Sequence, residues 1–319
     1  MNITVLGCGR WGTFHAWYAN HIGHAVTLWG REHSPRLQQL RETGKNEYLT
    51  LPAAIQLTAN LQEALEHADI CIVSISAQQL RSFAATLHSL RPSLPIPCIL
   101  AMKGLEIGSG KRLTDVWKEE MGLAAPVAVW VGPGHVQDFI KGMPNCMVMA
   151  SDDMNLTHTL VDAFTSSLIR FYYGSDLLGI EIGAAAKNVM GIAAGMLDGA
   201  DLTSLKGALM ARGTHELSLL IKQLGGDAMT VYGLSHLGDY EATLFSPYSN
   251  NRRFGEAFIQ GKPFDKLAEG VYTTEALLDL AGQVGVELPI TRTIYEIVKE
   301  GRNPHSMLKQ LFLRPTKAE

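Results

Sequence analysis

The chain has 319 residues, which is enough for about two domains of ordinary size. Hydrophobic residues make up 46% and charged residues 18%, a balance that supports a sizeable core and excludes extensive disorder. A net charge of −4 argues against nucleic acid as a partner, and the four cysteines form no C-x-x-C pair, which favours reduced thiols in a cytoplasmic protein.

Short apolar runs rich in Val and Ile alternate with helical segments through the first half of the chain. We predict strands at residues 2–7, 25–30, 69–75, 97–103, 126–132 and 146–151. This alternation is typical of βαβ units, whose parallel strands are buried on both faces. We therefore predict an α/β fold with a Rossmann-type, doubly wound parallel sheet.

The first predicted strand ends in a glycine loop, "GCGRWG", with Gly7, Gly9 and Gly12 in the spacing G-x-G-x-x-G. In a βαβ unit these glycines permit a tight turn, a close approach of the pyrophosphate and close packing of helix on strand. The N-terminus of the following helix receives the phosphates. The loop therefore predicts a dinucleotide site, although a glycine turn with no ligand is the alternative.

The second predicted strand ends in "LWGRE", where NAD-specific sites normally carry an acidic residue for the ribose 2′-hydroxyl. Arg31 falls near that place, and an arginine there binds the 2′-phosphate of NADP through two hydrogen bonds. We favour NADP(H) as the cofactor, with NAD(H) as the alternative. The alternative is that Arg31 is a solvated loop residue that contacts no ligand.

The longest uncharged run, Gly122 to Gln137, is broken by Pro126 and by Gly132-Pro133-Gly134, so we expect no membrane insertion. After about residue 175 the strand signals stop, and helices are predicted at 182–197, 205–224, 273–284 and 291–300. We therefore predict a dinucleotide-binding Rossmann domain over residues 1–178. A helical domain carrying the substrate and catalytic groups is predicted over residues 179–319.

One lysine interrupts the apolar segment Ile182 to Met196, which otherwise contains only small and apolar residues and Asn188. A helix that is apolar all round is buried, and lysine is rarely buried without a partner. Gly183 and Gly191 lie four residues before and after Lys187, on the same helix face. Lys187 therefore projects from a face with room for a partner or a ligand, unless it extends along the helix to solvent.

Further motifs run across nearly the full chain. They are "GCGRWGT" (7–13), "LWGR" (28–31), "AMKGLE" (101–106), "VGPGH" (131–135), "AAKNVMGIAAGM" (185–196), "KGALMARGTHE" (206–216), "LGDYEATLFSPYSNNRRFG" (237–255), "AEG" (268–270) and "GVELPIT" (285–291). In this order they make the chain resemble the bacterial NAD(P)-dependent glycerol-3-phosphate dehydrogenases.

The resemblance implies an oxidoreductase that interconverts dihydroxyacetone phosphate and sn-glycerol 3-phosphate, a precursor of glycerophospholipids. It makes Lys187 the general acid and base, Lys103 a contact of cofactor and substrate, and Asp239 the residue that holds the substrate and Lys187. A carbonyl reduced by hydride needs a proton, which a neighbouring ammonium supplies. Members of the family are often dimers, so the resemblance also implies a homodimer.

The histidines form no metal-ligand spacing, so no metal is expected. The resemblance implies further ligand contacts. Cofactor contacts are implied at Gly7, Gly9, Arg10, Trp11, Gly12, Arg31, Lys103, Val136, Asn250 and Glu269. Substrate contacts are implied at Lys103, Gly132, Gly134, Lys187, Asp239, Ser249, Asn250 and Asn251. Helix packing for Trp11, and solvation for Glu269, are the alternatives that involve no ligand.

The chain departs from the family at three positions, all expected on the substrate side. Asn250 replaces the arginine of the family's S-R-N, Gly134 replaces the hydroxyl residue of G-P-S/T, and Ser204 stands near the asparagine of G-x-N-T-K. Losing one hydrogen bond to a phosphate costs about 1.5–3 kcal/mol, unless Arg252 or Arg253 compensates.

These departures keep two other functions open. The first is a related two-domain hydroxyacid or hydroxyacyl dehydrogenase acting on a different substrate. A hydroxyacyl enzyme would use a histidine–glutamate pair, and His135 in "GPGHV" is the candidate histidine. The second is a non-enzymatic NADP-binding sensor, which would not need the proton donor that Lys187 provides.

Overall fold

The computed structural model describes residues 1–313, which divide into two compact units. The first unit comprises Met1–Met102 and Leu113–Leu177, and the second comprises Lys103–Arg112 and the chain from Leu178 onward. The last six residues of the predicted helical domain, 314–319, lie outside the described residues.

Within residues 1–313 the first unit contains one eight-stranded sheet. Its strands are β1 (Asn2–Leu6), β2 (Ala25–Trp29), β3 (Gln56–Thr58), β4 (Ile70–Val73), β5 (Cys98–Leu100), β6 (Val127–Val131), β7 (Asn145–Ala150) and β8 (Ile169–Gly174). They lie in the order β3-β2-β1-β4-β5-β6-β7-β8. The order reverses direction beside β1, which confirms the predicted doubly wound arrangement.

The helices of the first unit cover the connections between these strands. They are α1 (Arg10–His21), α2 (Pro35–Thr43), α3 (Leu61–Leu65), α4 (Leu80–Leu90), α5 (Leu113–Met121), α6 (Val136–Ile140) and α7 (Met154–Phe164). The side chains of Phe14 and Tyr18, on α1, are fully buried, and Phe14 stacks on Phe139 with ring centroids 5.1 Å apart. This packing holds α1 and the loop before it against the sheet.

The sheet departs from the predicted all-parallel pattern at one pair, because β6 and β7 are antiparallel. The only helix between them, α6, has five residues and is about 7.5 Å long. A strand of five or six residues spans about 17–20 Å, so this helix is too short to return the chain to the start of β6. The chain instead returns through residues 132–144 and pairs antiparallel with β6.

Two strands have no counterpart in the sequence prediction. β3 has three residues and is too short for its period-two pattern to be distinctive. β8 carries a partly alternating pattern, with Ile169 and Phe171 buried and Arg170 exposed, but it lies at the edge of the sheet and pairs with β7 alone. Both were missed because the prediction relied on continuous apolar runs.

The second unit is helical, as predicted. Its helices are α8 (Leu177–Gly199), α9 (Lys206–Gln223), α10 (Asn250–Ile259), α11 (Gly270–Gln283), α12 (Pro289–Val298) and α13 (Pro304–Phe312). Helix α8 is long and apolar enough to cross a membrane by length and composition alone, but 94% of its most apolar window is buried inside the protein. It therefore has the burial of a core helix, around which the others pack.

The segment Lys103–Arg112 was predicted within the first domain but belongs to the helical unit. Leu105 is fully buried in the hydrophobic core of that unit. Arg112 Nη1 lies 3.1 Å from the buried carboxylate oxygen Glu181 Oε2, on α8. Residues far along the chain anchor this segment, and a prediction from local patterns does not include them.

Candidate active site

Lys187 lies on the glycine-lined face of α8, and a segment of the same unit packs against that face. A Cβ atom added at Gly183 would lie 3.1 Å from the Cβ of His236, and one added at Gly191 would lie 2.9 Å from Cγ2 of Thr243. Both glycines therefore permit residues 236–243 to approach the turns on either side of Lys187. The room predicted beside Lys187 is filled by a partner from the chain itself.

The partner of Lys187 is Asp239, which lies in a 3₁₀ turn, Leu237–Asp239. Nζ of Lys187 lies 2.5 Å from Oδ2 of Asp239, and Nζ of Lys103 donates to the same oxygen at 2.8 Å. The Asp239 side chain is only 1% exposed. Two ammonium groups thus converge on one buried carboxylate, and the three residues singled out in the sequence lie together.

Thr243 completes this cluster, and the sequence analysis missed it. Its Oγ1 accepts a hydrogen bond of 2.8 Å from Lys187 Nζ and lies 3.5 Å from Asp239 Oδ1. Thr243 belongs to a π-helical turn, Glu241–Phe245, and such turns are frequent at functional sites. The spacing of four residues from Asp239 was visible in the sequence, but nothing there indicated that the two side chains face the same lysine.

The electrostatic environment makes Lys187 titrate near neutrality. Burial lowers the pKa of Lys187 from its ordinary 10.5 to about 7. The charge of Asp239 opposes this shift, whereas the neighbouring ammonium of Lys103 adds to it. A lysine with a pKa near 7 is present both as ammonium and as amine at physiological pH, so it can donate and accept a proton.

A chain of amides links this cluster to α10 and α11. Asn251 donates to the side-chain oxygen of Asn188 at 3.0 Å and accepts from the backbone N–H of Gly270 at 2.9 Å. The amide nitrogen of Asn188 lies 3.5 Å from the carbonyl oxygen of Lys103. Asn188 follows Lys187 directly, but the sequence analysis did not identify it as a site residue. Glu269, at the start of α11, is half-buried.

The glycine loop of the first unit has the geometry that a dinucleotide requires. A Cβ at Gly7 would lie 2.2 Å from the carbonyl oxygen of Ser74, and one at Gly12 would lie 1.7 Å from the carbonyl oxygen of Gly7. At Gly9 the nearest atom would be Nη1 of Arg36, at 3.5 Å. Gly7 and Gly12 are thus needed for the turn and the packing, whereas Gly9 leaves an open approach to the N-terminus of α1, which fits a pyrophosphate.

Arg10 and Trp11, the two residues between Gly9 and Gly12, make different contacts. Arg10 donates to Gln137 Oε1 at 2.7 Å and lies 4.8 Å from the centroid of the Tyr48 ring. Trp11 is half-buried, with its ring centroid 5.5 Å from that of Phe14. Trp11 thus packs against Phe14 and stays partly exposed, so its position is compatible both with helix packing and with a cofactor contact.

The remaining predicted positions of the first unit differ in exposure. Arg31 is exposed and lies two residues after β2. Gly132 and Gly134 have φ values of 136° and 130°, and a Cβ at Gly134 would lie 2.5 Å from the Phe139 ring, so both positions require glycine. The side chain of Val136 is fully buried in the core, so a ligand would reach only its backbone.

Comparisons with known proteins decide the family. Residues 2–157 match the NAD-dependent glycerol-3-phosphate dehydrogenase N-terminus and residues 176–309 match the C-terminus of the same family. The chain belongs to the NAD-dependent glycerol-3-phosphate dehydrogenase family. This confirms the resemblance drawn from the motifs.

Individual relatives agree over the whole length. The glycerol-3-phosphate dehydrogenase [NAD(P)+] of Prosthecochloris aestuarii is 35% identical, with 100% of both chains covered. That of Moorella thermoacetica is 38% identical, covering 98% of this chain and 96% of the relative. The crystal structure of the Coxiella burnetii glycerol-3-phosphate dehydrogenase superposes with a TM-score of 0.90 at 27% identity, covering 98% of this chain and 99% of that one.

The late loop carries Asn250, where the resemblance to the family leads to the expectation of an arginine. Asn250 is the first residue of α10, is half-buried, and its Nδ2 lies 3.4 Å from the carbonyl oxygen of Leu267. Ser249 caps the same helix, because its hydroxyl accepts the backbone N–H of Arg252. The loop therefore places an uncharged amide where the family's motif has a guanidinium.

The two arginines that follow were considered as replacements, and the structure distinguishes them. Arg252 Nη1 lies 2.5 Å from Asp198 Oδ2, and its Nε donates to the carbonyl oxygen of Ser246 at 3.2 Å. The Arg253 guanidinium is exposed and lies 5.9 Å from the Phe264 ring centroid. Arg252 is thus held by an acidic partner, whereas Arg253 has the freer guanidinium of the two.

Proposed function

We propose that the chain is an NAD(P)-dependent dehydrogenase that interconverts dihydroxyacetone phosphate and sn-glycerol 3-phosphate, with Lys187 as its general acid and base. Membership of the family supports the reaction. The observation that carries the assignment of Lys187 is its buried position against Asp239 with a pKa near 7. That pKa matches the operating pH of a proton donor and acceptor.

In the reductive direction, the ammonium of Lys187 polarises the substrate carbonyl and transfers a proton to its oxygen. A bound NAD(P)H supplies the hydride that the carbonyl carbon accepts. The neutral amine that remains accepts a proton from solvent, which restores the ammonium. In the oxidative direction the neutral amine removes the proton of the hydroxyl group. Proton and hydride together account for the two hydrogens that separate ketone and alcohol.

Asp239 and Thr243 orient Lys187 for this transfer. Their oxygens lie 2.5 and 2.8 Å from its Nζ, which limits the directions in which the ammonium points. Lys103 shares Oδ2 of Asp239, so the carboxylate is balanced by two cations when Lys187 is protonated and by one when it is not. We assign Lys103 to contacts with both cofactor and substrate, and Asp239 to holding the substrate beside Lys187.

We assign cofactor binding to the glycine loop, Arg10, Trp11, Arg31 and the backbone of Val136. The resemblance to the family adds Lys103, Asn250 and Glu269 as further cofactor contacts. An exposed arginine two residues after β2, in place of an acid, supports NADP(H) over NAD(H), because its guanidinium matches the 2′-phosphate. The open face of Gly9 supports pyrophosphate binding at α1.

We assign the phosphorylated end of the substrate to backbone and amide groups. The resemblance makes Gly132, Gly134, Ser249, Asn250 and Asn251 the candidates, and Arg253 has a freer guanidinium than Arg252. Because Asn250 carries no charge, phosphate capture is expected to be weaker than with arginine in its place. We also propose a homodimer in the cytoplasm, on the strength of the family alone; analytical ultracentrifugation tests the dimer.

The reaction is tested by following NADPH oxidation with dihydroxyacetone phosphate and, in parallel, with dihydroxyacetone. We expect turnover with the phosphorylated ketone and at least tenfold lower kcat/KM without the phosphate. Comparable rates with both would indicate a substrate without phosphate and favour a related hydroxyacid dehydrogenase. Tight cofactor binding with no turnover of either ketone or of a hydroxyacid panel would favour a sensor.

A further inference from the structure

A buried histidine and tyrosine lie beside the Lys187 cluster, and the proposed chemistry does not use either. His236 and Tyr240 are both fully buried. Nε2 of His236 lies 2.6 Å from the hydroxyl oxygen of Tyr240, and Nδ1 lies 2.9 Å from the carbonyl oxygen of Gly183. Two polar side chains are thus buried in an apolar core with every ring nitrogen and hydroxyl satisfied.

The partners determine which atoms carry the hydrogens. A carbonyl oxygen only accepts, so Nδ1 of His236 carries the proton and donates it to Gly183. Nε2 is then an acceptor, and the Tyr240 hydroxyl donates to it. Burial lowers the pKa of His236 to about 4, and burial raises the pKa of Tyr240 well above its ordinary range. The pair is therefore a neutral hydrogen-bonded chain throughout the physiological pH range.

The ends of this chain lie next to the two residues of the proposed proton transfer. In an α-helix, the carbonyl of residue 183 accepts the backbone N–H of residue 187, so His236 binds the turn of α8 that carries Lys187. Tyr240 directly follows Asp239 in the chain. The chain of hydrogen bonds thus joins the backbone beside Lys187 to the backbone beside Asp239.

We propose that the His236–Tyr240 pair positions the reaction centre, by holding the backbone of Asp239 against the Lys187 turn of α8 and so setting the distance between carboxylate and ammonium. His236 and Tyr240 are positioning residues, because neither side chain is placed to contact the substrate. This inference rests on the proposed function of Lys187. It predicts that loosening the pair changes the titration of Lys187 as well as its rate of turnover.

The direction of that change follows from the groups around Lys187. Asp239 stabilises the ammonium, Lys103 opposes it, and His236 faces it as a neutral group. Thr214 and Glu216, on α9, face Tyr240. If the carboxylate moves away, the ammonium loses its stabilising charge while burial and Lys103 remain, so the pKa of Lys187 falls.

The main test is Tyr240→Phe, which removes one hydroxyl and keeps the ring. We expect the pH at which kcat/KM for dihydroxyacetone phosphate reduction falls to half to move down by about one unit, with a loss of about tenfold at pH 8. The matched control is Tyr18→Phe in the first unit, since Tyr18 is also fully buried and its hydroxyl lies 2.6 Å from the Phe164 carbonyl oxygen. Identical pH profiles for the two variants would overturn the proposal.

Substitutions at His236 provide a second test. His236→Gln retains a donor for Gly183 and an acceptor for Tyr240, whereas His236→Leu retains neither. We expect a wild-type profile for the glutamine variant and a shifted profile for the leucine variant, and equal profiles would contradict the proposal. Should His236→Leu fail to fold, the comparison of Tyr240→Phe with Tyr18→Phe decides, because both variants lose one buried hydroxyl and keep the ring.

A measurement without turnover separates this inference from the proposed function. The reactivity of Lys187 toward acetic anhydride is followed against pH by mass spectrometry, with Lys222, exposed on α9, as the internal reference. A downward shift of the Lys187 titration in Tyr240→Phe supports the positioning role even if dihydroxyacetone phosphate is not turned over. An unshifted titration contradicts it even if the wild-type protein is an active dehydrogenase.

Discussion

The amino group of Lys187 lies 2.5 Å from a carboxylate oxygen of Asp239, in a part of the helical unit where both side chains are at least nine-tenths buried. Alone, the carboxylate would keep the lysine charged far above neutral pH. Burial wins over this attraction and lowers the lysine's pKa to about 7, with help from the charge of Lys103. Lys187 therefore carries a proton that it can release near neutral pH.

We expect Lys187→Ala to lower kcat by about 10²–10⁴-fold, because general acid catalysis contributes that much. Cofactor affinity should stay nearly unchanged, which a fluorescence titration with NADPH checks. Lys206→Ala is the comparison, since Lys206 is also a buried lysine of this unit but lies 2.6 Å from Asp198. More than about a tenth of wild-type kcat in Lys187→Ala would exclude Lys187 as the proton donor.

The pH dependence of the reaction should follow the Lys187 titration. Carbonyl reduction needs the ammonium, so kcat/KM should be highest below about pH 7 and fall as pH rises through the pKa of Lys187. Oxidation of glycerol 3-phosphate needs the amine and should show the opposite limb. Lys187→Arg should lose both limbs, because arginine does not titrate in this range. A wild-type profile flat between about pH 6 and 9 contradicts the assignment.

The same pKa predicts a pH-dependent cost in stability. The folded pKa of Lys187 lies below the unfolded value, so between about pH 7 and 10.5 the unfolded state binds more protons. In that range the free energy of unfolding rises with pH by up to about 1.4 kcal/mol per unit from this group alone. Below about pH 7 the full cost of burying the ammonium remains.

Lys187→Met should therefore raise the urea midpoint most at pH 6, with a gain that shrinks toward pH 9. The exposed Lys222→Met is the control and should leave the pH dependence of the midpoint as it is in the wild type. A Lys187→Met curve parallel to that of the wild type across this range would show that the lysine is not buried as a cation.

Arg31→Ala should weaken NADPH binding more than NADH binding, because only NADPH carries the 2′-phosphate. One charge-assisted contact is worth about 1.5–3 kcal/mol, which is about a 10- to 150-fold change in Kd. Arg41→Ala is the control, since Arg41 is an exposed arginine on α2 paired with Glu32 at 3.9 Å. Equal losses of affinity for NADPH and NADH, measured by fluorescence titration, would show that Arg31 does not bind the 2′-phosphate.

Asn250→Arg should lower the KM for dihydroxyacetone phosphate by about one order of magnitude and leave kcat nearly unchanged, because the phosphate is remote from the reacting carbon. The gain should shrink with added salt. Asn250→Gln, which adds length without charge, is the control. An unchanged KM would indicate that Arg253 binds the phosphate instead. In that case Arg253→Ala should raise the KM for dihydroxyacetone phosphate. Reduced activity would indicate a different natural substrate.

The positions where the sequence prediction succeeded and failed have a common explanation. The strands buried on both faces, the glycine loop and helix α8 follow from patterns within about twenty residues of chain, and all were predicted. The strands β3 and β8, the reversal at β7 and the transfer of residues 103–112 to the helical unit depend on neighbours elsewhere in the chain, and none was predicted.

The candidate site shows the same division. Lys187 stood out in the sequence because one charge interrupts an apolar helix between two glycines, and Lys103 and Asp239 were known only through the resemblance to a family. Thr243, Asn188 and the His236–Tyr240 pair have no local signal, because a threonine, an amide or a histidine in a helical region has the same sequence pattern in a core as in a site.

By itself the sequence determined where a lysine would be buried, because the spacing of apolar residues and glycines is a property of one helix. Only the tertiary structure decided what that lysine contacts. Thr243 is 56 residues from Lys187 along the chain, and Asp239 is 136 residues from Lys103. Their approach depends on close packing at Gly183 and Gly191, and the pKa of Lys187 depends on how much water that packing removes. The packing at these glycines and the pKa of Lys187 both depend on many contacts that form only when the whole unit has folded.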